Sequence, residues 1–104
     1  MGDELDIEAL KTKHGKIFKV SFTPDDVFYV RRLKRAEHRR IDKLTEEQPQ
    51  EERGDFAMLK IVETTLLWPK KDNWDDDPSG YVPMLSNKVL ELSGFTQNIL
   101  TEPV

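Results

Sequence analysis

Hydrophobic and polar positions change period several times along this chain, and each change marks an expected element. Residues 4–14 repeat at helical spacing, with Leu5, Ala9 and Leu10 to one side and Ile7 out of phase. Gly15 is a natural stop after Lys11, Lys13 and His14, which suit a helix C-terminus. Residues 16–22 then alternate, Phe18, Val20 and Phe22 against Ile17, Lys19 and Ser21, the period of a half-buried strand. Thr23-Pro24-Asp25-Asp26 puts Pro at the second position of a turn. Residues 27–33 read as the partner strand, so a β-hairpin over 16–33 is predicted.

Beyond the hairpin the period becomes helical. Leu33, Ala36 or Glu37, Ile41 and Leu44 form a narrow apolar stripe in a charged helix over 34–44. Residues 45–54 hold no apolar side chain except Pro49 and end in Gly54, the composition of a solvated linker. The strongest helical pattern follows at 55–68, with Asp55 as candidate N-cap and Pro69 forcing the end. Phe56, Leu59, Val62, Leu66 and Leu67 cover over half its circumference, which predicts the central buried helix. After a loop at 70–80, Val82, Leu85, Val89 and Leu92 mark a helix over 81–93. Ser79 is its candidate cap, and Pro83 is tolerated in the first turn. Gly94 followed by Phe95 is a Schellman signal, and 96–100 are expected to add one more turn. The order predicts an α+β fold, an N-terminal β-hairpin packed with three to four α-helices in a single small domain over 1–104.

Charge changes the picture most. Residues 31–43 hold seven Lys/Arg against two acids, +5, whereas the other ninety-one carry nine bases and eighteen acids, −9. A chain of net charge −4 is therefore strongly segregated, which shapes the partners its surface attracts. Hydrophobic residues make up 37% and charged residues 35% of the 104. The expected core is thin, leaving apolar surface to be completed by a partner or a second copy. There is no cysteine, so disulfides and thiolate chemistry are excluded, which suits a reducing cytoplasm. The acidic N-terminus lacks a signal-peptide plan, and the uncharged stretches are too short and polar to span a bilayer.

Candidate chemistry is sparse. Asp72 to Asp77 suggests calcium, but an EF-hand register puts Trp74 at a ligand position, Asp77 at the glycine and Pro83 at the twelfth. A solvated loop before a helix is the better account, with Asp75 to Asp77 favouring the positive helix N-terminus. His14 and His38 have no cysteine and no second histidine at ligand spacing, so no metal or other cofactor is expected. No nucleophile elbow, Walker loop or dinucleotide fingerprint is present, and no catalytic residue is assigned. The candidate partner-binding residues are Arg32, Arg35, Arg39, Arg40 and Lys43 on the basic helix, with Trp74 as an aromatic anchor. Packing of Trp74 over the third helix is an equal alternative. Nucleic-acid binding by the basic block is the competing function. It is opposed by the surrounding −9, by Phe28 and Tyr29 being needed in the hairpin, and by the absence of a reader motif.

Four segments carry a resemblance. They are 13–20 (Lys-His-Gly-Lys-Ile-Phe-Lys-Val), 28–37 (Phe-Tyr-Val-Arg-Arg-Leu-Lys-Arg-Ala-Glu), 62–69 (Val-Glu-Thr-Thr-Leu-Leu-Trp-Pro) and 83–95 (Pro-Met-Leu-Ser-Asn-Lys-Val-Leu-Glu-Leu-Ser-Gly-Phe). Together they resemble small tail and baseplate assembly proteins of contractile-tailed bacteriophages, including tail assembly chaperones and the T-even baseplate hub assembly group. The shared plan is a hairpin leading into an Arg-x-Leu-x-x-x-Glu helix start, an apolar helix ending at Pro, and a last helix closing in Ser-Gly-Phe. The acidic loop at 72–77 has no counterpart in it. The resemblance implies a non-catalytic adaptor that binds other phage tail or baseplate proteins, with self-association left open. It would act in the bacterial host cytoplasm during assembly and enter the virion if retained there.

Overall fold

The computed structural model describes residues 5–95 and residue 103. The chain is α+β; the described residues form four α-helices and a three-stranded antiparallel sheet of order β1-β2-β3. Helix α1 (Ile7–His14) starts where the Asp6 carboxylate accepts a hydrogen bond from the Ala9 N–H at 3.0 Å, satisfying one orphan donor of the first turn. It ends on Gly15 at φ 78°, a conformation open to glycine without strain. No α1 residue is fully buried, so this helix leans on the hairpin without entering the core.

Strands β1 (Ile17–Ser21) and β2 (Val27–Arg31) pair with Phe18 opposite Val30 and Val20 opposite Phe28. That register puts the alternating apolar set on one face, where Phe28 and Val30 are sealed and Phe18 and Val20 pack against them. Asp26 closes the turn, its N–H donating to both the carbonyl and hydroxyl oxygens of Thr23.

Helix α2 (Arg35–Glu46) buries only Ile41, while Leu33 is buried just before it. Ala36 and Leu44, expected in the apolar stripe, are exposed. The linker expected over 45–54 is instead structured. It contains the end of α2, a 3-10 turn at Gln50–Glu52 and the start of helix α3 (Arg53–Thr65). Arg53 explains the order, because its guanidinium donates to the carbonyls of Gln48 and Glu46, each at 3.1 Å. A cation on the last carbonyls of α2 satisfies acceptors that the helix cannot pair itself.

Two further expectations fail on α3. Asp55 lies inside the first turn and does not cap it. The helix also stops at Thr65, and Leu66–Trp68 form strand β3, pairing with β2 across a register irregularity at Tyr29/Val30. The inner edge of β2 would otherwise bury unpaired backbone groups, and an extended segment suits the residue before Pro69. The buried face of α3 is Ile61, Val62 and Thr65, whereas Leu59 is exposed.

Helix α4 (Tyr81–Leu92) packs on α3 and seals Leu85 and Val89 completely. Gly80, not Ser79, precedes it, with no side-chain cap. Its C-terminus is a Schellman motif: Phe95 N–H donates to Leu90 O at 2.9 Å and Gly94 N–H to Glu91 O, with Gly94 at φ 100°. The ring of Phe95 lies 4.9 Å from that of His38 on α2. The extra turn expected over 96–100 lies outside the described residues.

The core draws on β2, the β2–α2 connection, α2, α3 and α4: Phe28, Val30, Leu33, Ile41, Ile61, Val62, Tyr81, Leu85 and Val89 form one buried cluster, with Phe18 and Val20 of β1 and Leu66 of β3 partly buried against it. Tyr81 joins the hairpin to α4, stacking 4.2 Å from Phe22 and donating its hydroxyl to Asp26. That bond favours the protonated phenol and raises its pKa, with desolvation and the Asp26 and Asp77 charges acting the same way.

Two buried residues are polar: Thr65 donates its hydroxyl to Ile61 O, whereas the Oγ of Ser86, 1% exposed, finds no hydrogen-bond partner among the described residues. Ser86→Ala removes an unsatisfied hydroxyl and improves helix propensity, so it should raise unfolding stability by about 1 kcal/mol. A urea midpoint moving down by an equivalent amount would mean that the hydroxyl is bonded in solution.

Candidate interaction surface

The junction between β2 and α2 organises the basic block. Arg31 donates two bonds to Glu37, Nη1 to Oε1 at 2.8 Å and Nη2 to Oε2 at 2.7 Å. Arg31 also donates to Thr64 O at 2.9 Å, and Glu37 accepts from the Lys34 N–H at 2.9 Å. Arg31 therefore satisfies a carbonyl at the C-terminus of α3, while Glu37 satisfies an N–H at the N-terminus of α2. The bidentate bond to Arg31 holds the Glu37 carboxyl below its usual pKa, against an opposing push from burial. Arg31, Leu33 and Glu37 thus supply the Arg-x-Leu-x-x-x-Glu pattern with a structural role: an ion pair between two helix ends around a buried leucine.

With Arg31 committed, the other bases are left facing solvent. Helical geometry places Arg35, Arg39 and Lys43 one turn apart, opposite the buried Ile41, along a ridge of about 12 Å. Arg40 lies to one side of that ridge, near exposed Leu44. Arg35, Arg39, Arg40 and Lys43 are all exposed, and none forms an ion pair among the described residues. Arg32 stands apart from the ridge, its guanidinium 5.4 Å from the centre of the Phe18 ring.

The structure enlarges the basic surface beyond the sequence block. Lys16 lies 5.5 Å over the same Phe18 ring as Arg32. Desolvation lowers the pKa of His14, and the charges of Lys13, Arg31 and Lys34 push the same way. The C-terminus of α1, the start of β1 and the start of α2 therefore share one electropositive end of the hairpin. Nothing in the local spacing of Lys13 and Lys16 marked them; only the antiparallel register, with Ile17 opposite Arg31, brings them there.

Trp74 belongs to a different surface. Its ring is half-buried 5.5 Å from Phe28, with Lys71 Nζ 5.0 Å above it. Its aromatic and cation–π contacts are with the hairpin and its own loop, and it shares a depression with Leu59 and Glu63 of α3. The acidic loop is organised by an ion pair between Lys71 and Asp77 at 2.7 Å. His38 Nδ1 faces Asp42 Oδ2 at 3.5 Å. Among the described residues, no group of three or more His, Cys, Asp or Glu could hold a metal ion, and no helix is long and apolar enough to cross a membrane. Comparison with protein-family models, with curated proteins and with solved structures finds no match.

Proposed function

We propose that this chain is a non-catalytic bacteriophage tail or baseplate assembly factor, or a small structural component of the virion, that works by binding other tail or baseplate proteins. The observation that carries this reading is the exposed row Arg35, Arg39 and Lys43, flanked by Arg40, with no internal ion pairs among the described residues. Cations left unpaired on a structured helix suit a protein partner of opposite charge, and such complementarity contributes register and association rate. The resemblance of the four segments supplies the biological setting, the bacterial host cytoplasm during assembly and the virion for a retained subunit.

Co-expression with tail and baseplate proteins encoded beside it should yield a stable complex. Arg39→Glu/Arg40→Glu should weaken that complex at least about tenfold, equivalent to about 1.4 kcal/mol, without changing the thermal midpoint of the free protein. Failure to co-purify with any of them would remove the proposal.

A second reading, a nucleic-acid-binding regulator, is favoured by the addition of Lys13 and Lys16 to the basic surface. It requires a mobility shift at low salt and a log–log salt slope of about −0.9 for each phosphate neutralised on duplex DNA.

A further inference from the structure

The two signs of charge lie at opposite ends of the hairpin. Its open end, where Ile17 faces Arg31, carries Lys16, Arg32 and Lys34, and α2 continues the basic surface. Its turn end, past Ser21 opposite Val27, carries Asp25 and Asp26. Five-residue strands set the ends about 17 Å apart, too far for surface charges to neutralise one another across one molecule in physiological salt.

The turn end is also concave. An open groove of about 310 Å³ has a floor of Val27, Phe28, Trp68 and Pro69, with Asp25, Asp26 and Asp77 around it and Lys71 as its single base. A second depression of about 170 Å³ adjoins it through Lys71, with Glu63, Asp72 and Asp75 around Leu59 and Trp74. Apolar floor and acidic margin thus occur together. The basic surface offers the complement: arginine side chains with long apolar stems and charged heads, beside Leu44, which is 39% exposed.

We infer that the acidic groove at the turn end docks the basic α2 surface of a second copy of this chain. The inference rests on the reading of α2 as a protein-binding face and names a partner for it. Because the contact joins two different surfaces, each pair leaves one basic and one acidic surface free, so association continues head to tail beyond the dimer. Exposed ion pairs contribute little singly, so the apolar floor and several pairs must act together, and salt should weaken the contact.

Sedimentation velocity on the full chain tests this. At low salt, about 0.05 M, the weight-average sedimentation coefficient should rise with protein concentration, and at about 1 M salt it should fall to the monomer value. Arg35→Glu/Arg39→Glu removes the basic surface, and Asp25→Lys/Asp75→Lys removes acidic groups from the margins of both depressions. All four residues are exposed, so both variants should keep the wild-type circular dichroism spectrum and melt. Each variant alone should be monomeric, whereas their equimolar mixture should form a one-to-one complex and nothing larger. A monomeric wild type at low salt, variants that associate alone like wild type, or a mixture that stays monomeric overturns the inference. Capture of a tail or baseplate protein through Arg39 and Arg40 by a chain that stays monomeric would leave the assembly-factor reading standing and remove only self-association.

Discussion

Leu85→Ala should cost about 3–5 kcal/mol of unfolding free energy, the largest effect of any substitution considered for this chain. Leu85 is 0% exposed, and α4 presents it to the single cluster that also contains Val30, Val62 and Val89. Truncation removes the transfer free energy of the lost carbons and leaves a cavity that a closely packed interior refills only in part. A domain of 104 residues is stable by roughly 5–15 kcal/mol, so one side chain accounts for a large share. Urea unfolding should show a lower midpoint at unchanged slope, with a thermal midpoint down by more than about 10 °C. Leu85→Met, which nearly conserves volume, should stay within about 1.5 kcal/mol of wild type. A loss below about 1 kcal/mol for the alanine variant would show that the α3–α4 packing described here is wrong.

The legible parts of this fold are those in which local pattern and tertiary environment agree. Phe18, Val20, Phe28 and Val30 alternate in sequence and share the inner face of the hairpin, and Leu85 and Val89 follow helical spacing into the core. Gly15 and Gly94 both end helices with positive φ. The third strand was hidden because a short apolar run before proline suits the end of a helix as well as a strand. Its conformation is decided by β2, whose free edge lies far away in sequence. Residues 45–54 read as a linker because their side chains are polar, yet Arg53 holds their backbone by reaching the carbonyls of Glu46 and Gln48. Polarity describes what a segment buries, not whether its hydrogen bonds are made.

The candidate surface divides in the same way. The arginines of α2 were visible as a charge run, and helical spacing sufficed to find the ridge of Arg35, Arg39 and Lys43. Arg31 belongs to the same charge run but not to the candidate set, and nothing in composition reveals that its guanidinium is committed to Glu37. Trp74 was equally ambiguous, and its place against Phe28 depends on how the 70–80 loop crosses the hairpin. The acidic groove was invisible in sequence because its two halves, Asp25 and Asp26 on the turn and Asp77 on the loop, are fifty residues apart.

Glu37→Gln should destabilise the chain by roughly 2–3 kcal/mol, and the effect should depend on pH. Glu37 and Arg31 are each largely covered, with side chains 17% and 15% exposed. Loss of the carboxylate leaves a guanidinium partly buried without its charge partner, which costs more than the net value of the pair itself. Because the folded state holds the Glu37 pKa below its unfolded value, its stabilisation is fully present above about pH 4.3, the ordinary glutamate value. It is lost as pH falls through the lower folded-state pKa. The gap between wild type and Glu37→Gln should therefore be constant near neutrality and close progressively below about pH 4. Urea titrations of both proteins from neutral to acid pH measure it directly, and a gap that widens on acidification would contradict the assigned pairing. The companion Arg31→Leu/Glu37→Leu should lose less than the sum of its two single substitutions, since removing both charges leaves neither one buried alone. Strict additivity would show that the contacts of Arg31 with Thr64 and of Glu37 with Lys34 carry the junction without the ion pair.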